Sequence, residues 1–385
     1  MAANDPNSPA NTAASAQGGP EQPQSSTTLP IRRIPSTSSS FDIVSTYRHL
    51  LATNPAYTQP VAAIQALIEL LNSQPTSTVF ETLDLIKSQV AVLHASVRNP
   101  VPLMAGTDLF ERFIVQSLRQ REDDESRRSG GFEATRDHLL SNSAVFATRA
   151  IQARESVANI GWRLVKDGST VLTSGASRAV SGLLRRAAEQ AVIRTGRVTF
   201  QVVYVRDERR RQESDGVCAE LRGAAIPVAE IPETAVAHVM GLQRRITMVI
   251  VGAEAVPQSG GIFSRLGTAQ IAKLAYAHQP QIPFYVATEE HKFVRMPTLP
   301  TGQKDKDLGF AQSLLDFTTE GPSRLPEDPI DYTPPEWITN LVTEFGIHKP
   351  EYPFLQLMDA YGTMVPDRIL TKAHADLEEE GVLEE

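Results

Sequence analysis

The chain has 385 residues, a length that suits two modest domains with tails, and 41% of it is apolar, enough for ordinary globular packing. No run approaches the roughly 20 uninterrupted apolar residues of a membrane span, and a formal net charge of −8 provides no global field toward nucleic acid or an anionic membrane surface. Cys218 is the sole cysteine and the eight histidines form no H-x-x-H or H-x-x-x-H pair, which excludes an internal disulfide and a thiolate cage and predicts no metal centre.

Residues 1–40 are built from Pro, Ser, Thr, Asn, Gln and Ala, without an aromatic residue or the apolar run of a signal peptide. A disordered tail is expected, in a chain whose single thiol suits a reducing cytosol. From residue 41 to about residue 165 the pattern is helical. Ile64, Leu67, Ile68 and Leu71 fall at i, i+3, i+4 and i+7, and Val79, Leu83, Ile86, Val90, Leu93 and Val97 alternate steps of four and three, the seam of crossing helices. Leu109, Phe113 and Ile114 begin another apolar face. Residues 121–131, dense in both charge signs, read as a solvated loop. A long helix is expected from about Ala134 to Lys166, with Gly168 as its left-handed cap.

The period then changes. Ser169–Thr173, Val198–Val205, Pro227–Ile231, Thr247–Val251 and Phe284–Ala287 read as strands. Between them lie helical patterns, the clearest running through Val180, Leu183, Leu184, Ala187, Ala188, Ala191 and Val192. Such alternation implies βαβ crossovers and a parallel sheet covered on both faces. The predicted fold is therefore α/β: an N-terminal helical bundle over 41–165, a Rossmann-like parallel-sheet domain over 166–362, and an acidic, solvated tail over 363–385. No G-x-G-x-x-G opens the first crossover helix, so the fold class carries no implication of a dinucleotide.

Ligands of open parallel sheets bind beyond the carboxyl ends of the strands. There the chain places two Ser-Arg pairs, Ser177-Arg178 and Ser264-Arg265, the second after a Ser259-Gly260-Gly261 turn, together with Arg209 and Glu254. Each Ser reads as the N-cap of a helix. An Arg in a first helical turn is repelled by the positive end of the dipole, and a bound anion held by free N–H groups and guanidinium would offset that. The alternative is that both arginines turn outward to acidic neighbours. Glu254 reads equally as a pocket carboxylate or as an acceptor for backbone N–H groups, since no second carboxylate or His is evident for acid–base work.

Several ordered segments carry a resemblance: Lys166–Thr173, Val251-Gly252-Ala253-Glu254, Gly260-Gly261-Ile262, Gly267-Thr268, Pro283–Val286, Lys292–Arg295 and Asp331-Tyr332-Thr333. Together they resemble the alpha/beta/delta regulatory-subunit family of eukaryotic translation initiation factor 2B, the alpha type in particular, over residue 41 to about residue 362. That family shares its fold with ribose-1,5-bisphosphate and methylthioribose-1-phosphate isomerases. The isomerases place a catalytic Cys shortly after the first strand and a catalytic Asp in a Gly-Ala-Asp run; here Gly175 and Glu254 stand at those places. Arg209 matches the Arg of the enzymes' Glu-Ser/Thr-Arg-Pro turn, with Arg210 in place of the Pro.

The resemblance implies a non-catalytic regulatory subunit of the guanine-nucleotide exchange factor that acts on initiation factor 2. It implies a homodimer that joins beta and delta subunits and senses the phosphorylated alpha subunit of initiation factor 2, with Thr78, Glu81 and Phe110 as the sensing positions. Against that role, Phe110 lies beside a core stripe and Glu81 sits where any exposed helix charge would. No cofactor is expected to be required. A sugar phosphate or a nucleoside monophosphate is the expected pocket ligand, held by Ser177, Arg178, Arg209, Glu254, Gly260, Gly261, Ser264 and Arg265. Two alternatives remain at this level, an active sugar-phosphate isomerase and a free-standing phosphometabolite sensor.

Overall fold

Alternate residues of the first strand, β1 (Thr170–Ser174), feed opposite layers of the molecule. Val171 packs with Val157, Val202, Met248 and Ile250 on one face of the sheet, and Leu172 with Val203, Val249, Phe284 and Val286 on the other. The computed structural model describes residues 41–76, 78–122, 148–242, 246–296, 317, 321 and 328–361. The expected tails over 1–40 and 363–385 lie outside the described residues.

Before the sheet the described residues form five helices: α1 (Ile43–Thr53), α2 (Gln59–Ser73), α3 (Val79–Ala95), α4 (Val101–Glu122) and α5 (148–161). Asp42 caps α1 by accepting the Val44 and Ser45 N–H groups, and Thr78 caps α3 by accepting the Glu81 N–H. Ile64, Leu67, Ile68 and Leu71 are all buried, so α2 forms the centre of this half. Of the predicted seam on α3, Ile86, Val90 and Leu93 are buried, and Leu83 and Val97 pack against them.

The expected solvated loop begins late, because Arg121 and Glu122 still belong to α4; its remainder lies outside the described residues. The start of the predicted long helix also falls there. What is described ends earlier than expected, at residue 161, followed by a 3₁₀ turn over Trp162–Leu164. Gly168 does have a left-handed φ of 77°, but it turns the chain into β1, its N–H bonding Thr199 O, and caps no helix.

The remaining strands are β2 (Gln201–Arg206), β3 (Val228–Pro232), β4 (Met248–Gly252), β5 (Val256–Pro257), β6 (Ile262–Arg265), β7 (Phe284–Ala287), β8 (Phe293–Val294), β9 (Ile330–Thr333), β10 (Asn340–Val342) and β11 (Ile347–His348). Six of them join β1 in the seven-stranded main sheet, in the order β11-β10-β7-β4-β1-β2-β3, parallel except for β11. Helices α6 (Arg178–Thr195) and α7 (Arg211–Gly223) cover one face, and α8 (Val236–Gly241), α9 (Thr268–Ala277) and α10 (Tyr352–Tyr361) the other. The stripe on α6 is buried from Val180 to Ala191, but Val192, which the spacing adds to it, is 44% exposed.

Strand order runs one way from β1 to β3 and the opposite way from β4 to β10, so the switch point lies between the carboxyl ends of β1 and β4. The helical half closes over that point. Val101 and Ala105 of α4 share an apolar cluster with Ala255, Phe263, Val294 and Ile330. Gly106 lets α4 approach α2 directly, since a Cβ there would stand 2.6 Å from Pro60 O.

Candidate anion-binding cleft

At the switch point the N-termini of three helices converge on one cavity of about 230 Å³: Thr58, Gln59 and Pro60 of α2, Pro102 of α4, and Ser177, Arg178 and Ala179 of α6. Unpaired N–H groups and the helix dipoles make such a place favourable for negative charge. Four cationic side chains, Arg154, Arg178, Arg265 and Lys292, line it against two carboxylates, Glu254 and Glu289, leaving a positive surplus.

Ser177 is the N-cap expected of it, its Oγ accepting the Val180 N–H at 3.4 Å. Gly252, at the end of β4, makes room for it, because a Cβ there would lie 2.2 Å from Ser177 Oγ. Arg178 is more committed than the sequence suggests. Its guanidinium forks onto the Pro55 carbonyl at 2.5 Å and the Tyr57 carbonyl at 2.8 Å in the α1–α2 connection. Burial and neighbouring Arg154 lower its pKa, with Glu289 opposing. Part of the dipole repulsion is thus answered by the chain's own carbonyls, and the case for an anion rests on the converging helix ends and the charge surplus.

Ser264-Arg265 starts no helix. Both residues lie in β6, which pairs antiparallel with β9, and α9 begins only after Gly267. Ser264 is buried and donates to Gly252 O at 3.1 Å, tying β6 to the end of β4. Arg265 still reaches the cleft, pairing with Glu213 at 3.2 Å and Glu254 at 3.5 Å. Glu254 is held from the helical side by the Asn99 amide, which donates to it at 2.7 Å. Burial raises its pKa, with Arg265 and the Asn99 hydrogen bond opposing.

Three expected ligands are absent from the lining. Arg209 sits in a 3₁₀ turn beside Asp207, at 3.5 Å, and its neighbour Arg210 lines an adjoining hollow instead. Gly260 and Gly261 serve packing: a Cβ on Gly260 would overlap Pro350 O, and one on Gly261 would meet the Tyr332 ring. Gly175, at the head of the cleft, has φ +71° and open space where a side chain would project. Its carbonyl accepts the Tyr204 hydroxyl at 3.1 Å.

Sequence reasoning missed Asn99 and Arg154, which reach the sheet edge from the helical half, and did not single out Glu289 and Lys292 among the polar residues after β7. Glu289 is 1% exposed and bridges Lys292 at 2.8 Å and Arg154 at 3.4 Å. Burial alone would raise its pKa; Lys292, with His291 and Arg154, outweighs that and holds it well below the usual carboxylate range.

On the helical half, Thr78 and Glu81 are exposed at the start of α3, while Phe110 is only 3% exposed within the helical core and cannot touch a partner directly. Phe80, 81% exposed between Thr78 and Glu81, is the apolar surface residue that the sequence reading passed over.

Residues 52–350 match the model of the initiation factor 2 subunit family. The chain is 28% identical to translation initiation factor eIF2B subunit alpha of Dictyostelium discoideum, over 83% of this chain and 96% of that protein, and 24% identical to the Caenorhabditis elegans subunit alpha, over 83% and 98%. It is 26% identical to ribose 1,5-bisphosphate isomerase of Archaeoglobus fulgidus, over 60% of this chain and 70% of that enzyme. A chain of the tetrameric eIF2B-beta2-delta2 complex from C. thermophilum superposes with a TM-score of 0.59 at 19% identity, over 83% of this chain and 94% of that one. Among the described residues no helix is long and apolar enough to cross a membrane. With more than half of its length matched by the family model, the chain belongs to the initiation factor 2 subunit family.

Proposed function

We propose that this chain is an alpha-type, non-catalytic regulatory subunit of the cytosolic guanine-nucleotide exchange factor that acts on initiation factor 2. The observation that carries the reading is the near full-length match to proteins named as subunit alpha. The cleft supports the non-catalytic part. An aldose-phosphate isomerase must move a proton or hydride between adjacent carbons, and Gly175 brings no group that could do so. Glu254, which stands where the isomerases carry their catalytic Asp, is engaged by Asn99 and Arg265.

In this reading the chain forms a homodimer, joins beta and delta subunits, and meets the phosphorylated alpha subunit of initiation factor 2 through its helical half, with Thr78, Phe80 and Glu81 on the contact face and Phe110 supporting them from the core. Co-expression with tagged beta- and delta-type subunits, followed by native mass measurement, is expected to return a dimer of the isolated chain and a larger mixed assembly. A monomer at micromolar concentration that co-purifies with neither subunit would remove the reading.

The cleft is assigned a phosphate-bearing small molecule, a sugar phosphate or nucleoside monophosphate, with its phosphate at the ends of α2 and α6. Arg178→Ala is expected to weaken binding by about 1.5–3 kcal/mol, tenfold or more in Kd, for loss of a charge-assisted contact. Calorimetric titration with several such compounds reads this out. Unchanged affinity in Arg178→Ala would mean that its two carbonyl bonds are its whole role.

A further inference from the structure

The wall of the cleft has a second side. In the turn after β7, Glu289 and Lys292 line the cleft, whereas Glu290 and His291 face a separate hollow of about 450 Å³ bounded by α4, α5 and α10.

That hollow is rich in acceptors. Glu344 takes the Glu290 N–H on its two carboxylate oxygens at 3.0 and 3.3 Å, and Glu290 accepts the Tyr352 hydroxyl at 2.5 Å. Each carboxylate keeps unused lone pairs, and neither is ion-paired among the described residues. His291 is 6% exposed, and neither of its ring nitrogens has a hydrogen-bond partner among the described residues. Burial lowers its pKa to about 4, with Glu289 opposing, so the ring is neutral at physiological pH and offers an acceptor nitrogen. Around these groups stand apolar Leu109, Phe293 and Leu357, with Phe345, 70% exposed, at the rim.

Half-buried carboxylates with lone pairs to spare, beside a buried imidazole that has no hydrogen-bond partner among the described residues, gain from a donor that reaches them. We propose that this hollow is a second ligand site, independent of the cleft, which binds a small organic cation: an ammonium or guanidinium group on a compact apolar body. The cationic head donates to Glu290, Glu344 and His291, and the body lies on Phe293, Leu357 and Phe345. The sign of the charge follows from the site. Burial pushes the Glu344 carboxyl up to about 7 and raises that of Glu290, a desolvation that a cation offsets and an anion would aggravate. Of the two arginines in the lining, Arg112 pairs with Asp108 at 3.4 Å and bonds the Phe293 carbonyl at 3.4 Å, and Arg149, which is exposed, pairs with neither carboxylate among the described residues.

The test is titration of the full chain with isoamylamine, by calorimetry and thermal melting, against isocaproate as the matched anion. Isoamylamine at about 10 mM is expected to raise Tm, as any ligand of the folded state alone must, and isocaproate is not. Glu344→Gln is expected to weaken amine binding about tenfold or more. Glu290→Gln, which retains an oxygen to accept from Tyr352, reports on the same floor should Glu344→Gln not fold, and is expected to give a loss in the same direction. No melting shift with the amine, an equal shift with the anion, or parental affinity in the folded Gln variants would overturn the proposal.

Discussion

Glu289→Gln is expected to cost about 3–5 kcal/mol of folding stability, the range for removing one partner of a buried charge cluster. The side chain is 1% exposed and holds Lys292 and Arg154, themselves only 12% and 15% exposed, so its loss leaves two poorly hydrated cations facing each other. In a chain of this size the loss appears as a drop in Tm of roughly 10 °C. Adding Lys292→Met should restore part of it, because replacing a buried pair costs far less than halving one. The pH dependence has a fixed sign. A depressed carboxyl pKa contributes stability that is complete above the ordinary carboxylate range and lost on acidification toward the folded-state value. The gap between parent and Glu289→Gln therefore narrows as pH falls below about 4.5. Urea melts of both proteins at neutral and acid pH measure it; equal stability at neutral pH would show that the cluster carries no net energy.

Gly260→Ala is expected to be as damaging, for a reason of shape alone. Residue 260 has φ +81°, and an added Cβ would stand 1.7 Å from Pro350 O, an overlap with backbone that no rotamer change relieves. The left-handed conformation costs roughly 1–2 kcal/mol for a non-glycine residue and overpacking about 1–3 more. Gly216→Ala is the control: it lies inside α7 with nothing within 4 Å of an added Cβ, and should be neutral or stabilise by up to about 1 kcal/mol. Thermal melting of the two variants side by side decides the matter, and a Gly260→Ala protein that melts with the parent would refute the contact.

The central strands were legible because each is a short run rich in β-branched and aromatic residues and largely buried; Val202, Val203, Tyr204 and Val205 admit few other readings. Ser177 was legible because capping is local. Ser264-Arg265 was misread by the same rule: a Ser after two glycines looks like a cap, while the partner that makes it a strand, β9, lies far along the chain. The partners of Arg178 are equally remote, since carbonyls at Pro55 and Tyr57 leave no trace in the residues around position 178. Gly260 and Gly261 were read as part of the phosphate pocket, whereas the backbone and ring that require glycine there belong to Pro350 and Tyr332, far along the chain. Periodicity placed Phe110 beside the core stripe, and only packing shows how deeply it is buried. What the sequence could not convey was the approach of the helical half, which delivers Asn99 and Arg154 to the sheet edge.

The two ends of the seven-stranded sheet are finished differently, and both discourage extension by a further strand. At one end β11 is two residues long and antiparallel, too short to template a partner. At the other, β3 finishes at Pro232, which has no N–H to give, and its middle residue Glu230 is held by Arg206 and, at 2.6 Å, by Arg222. An incoming strand would meet charged side chains already engaged with one another and a backbone lacking a donor. Any association of this chain with another would accordingly be steered away from continuous edge pairing and toward contacts between side-chain surfaces, where shape and charge can select the partner.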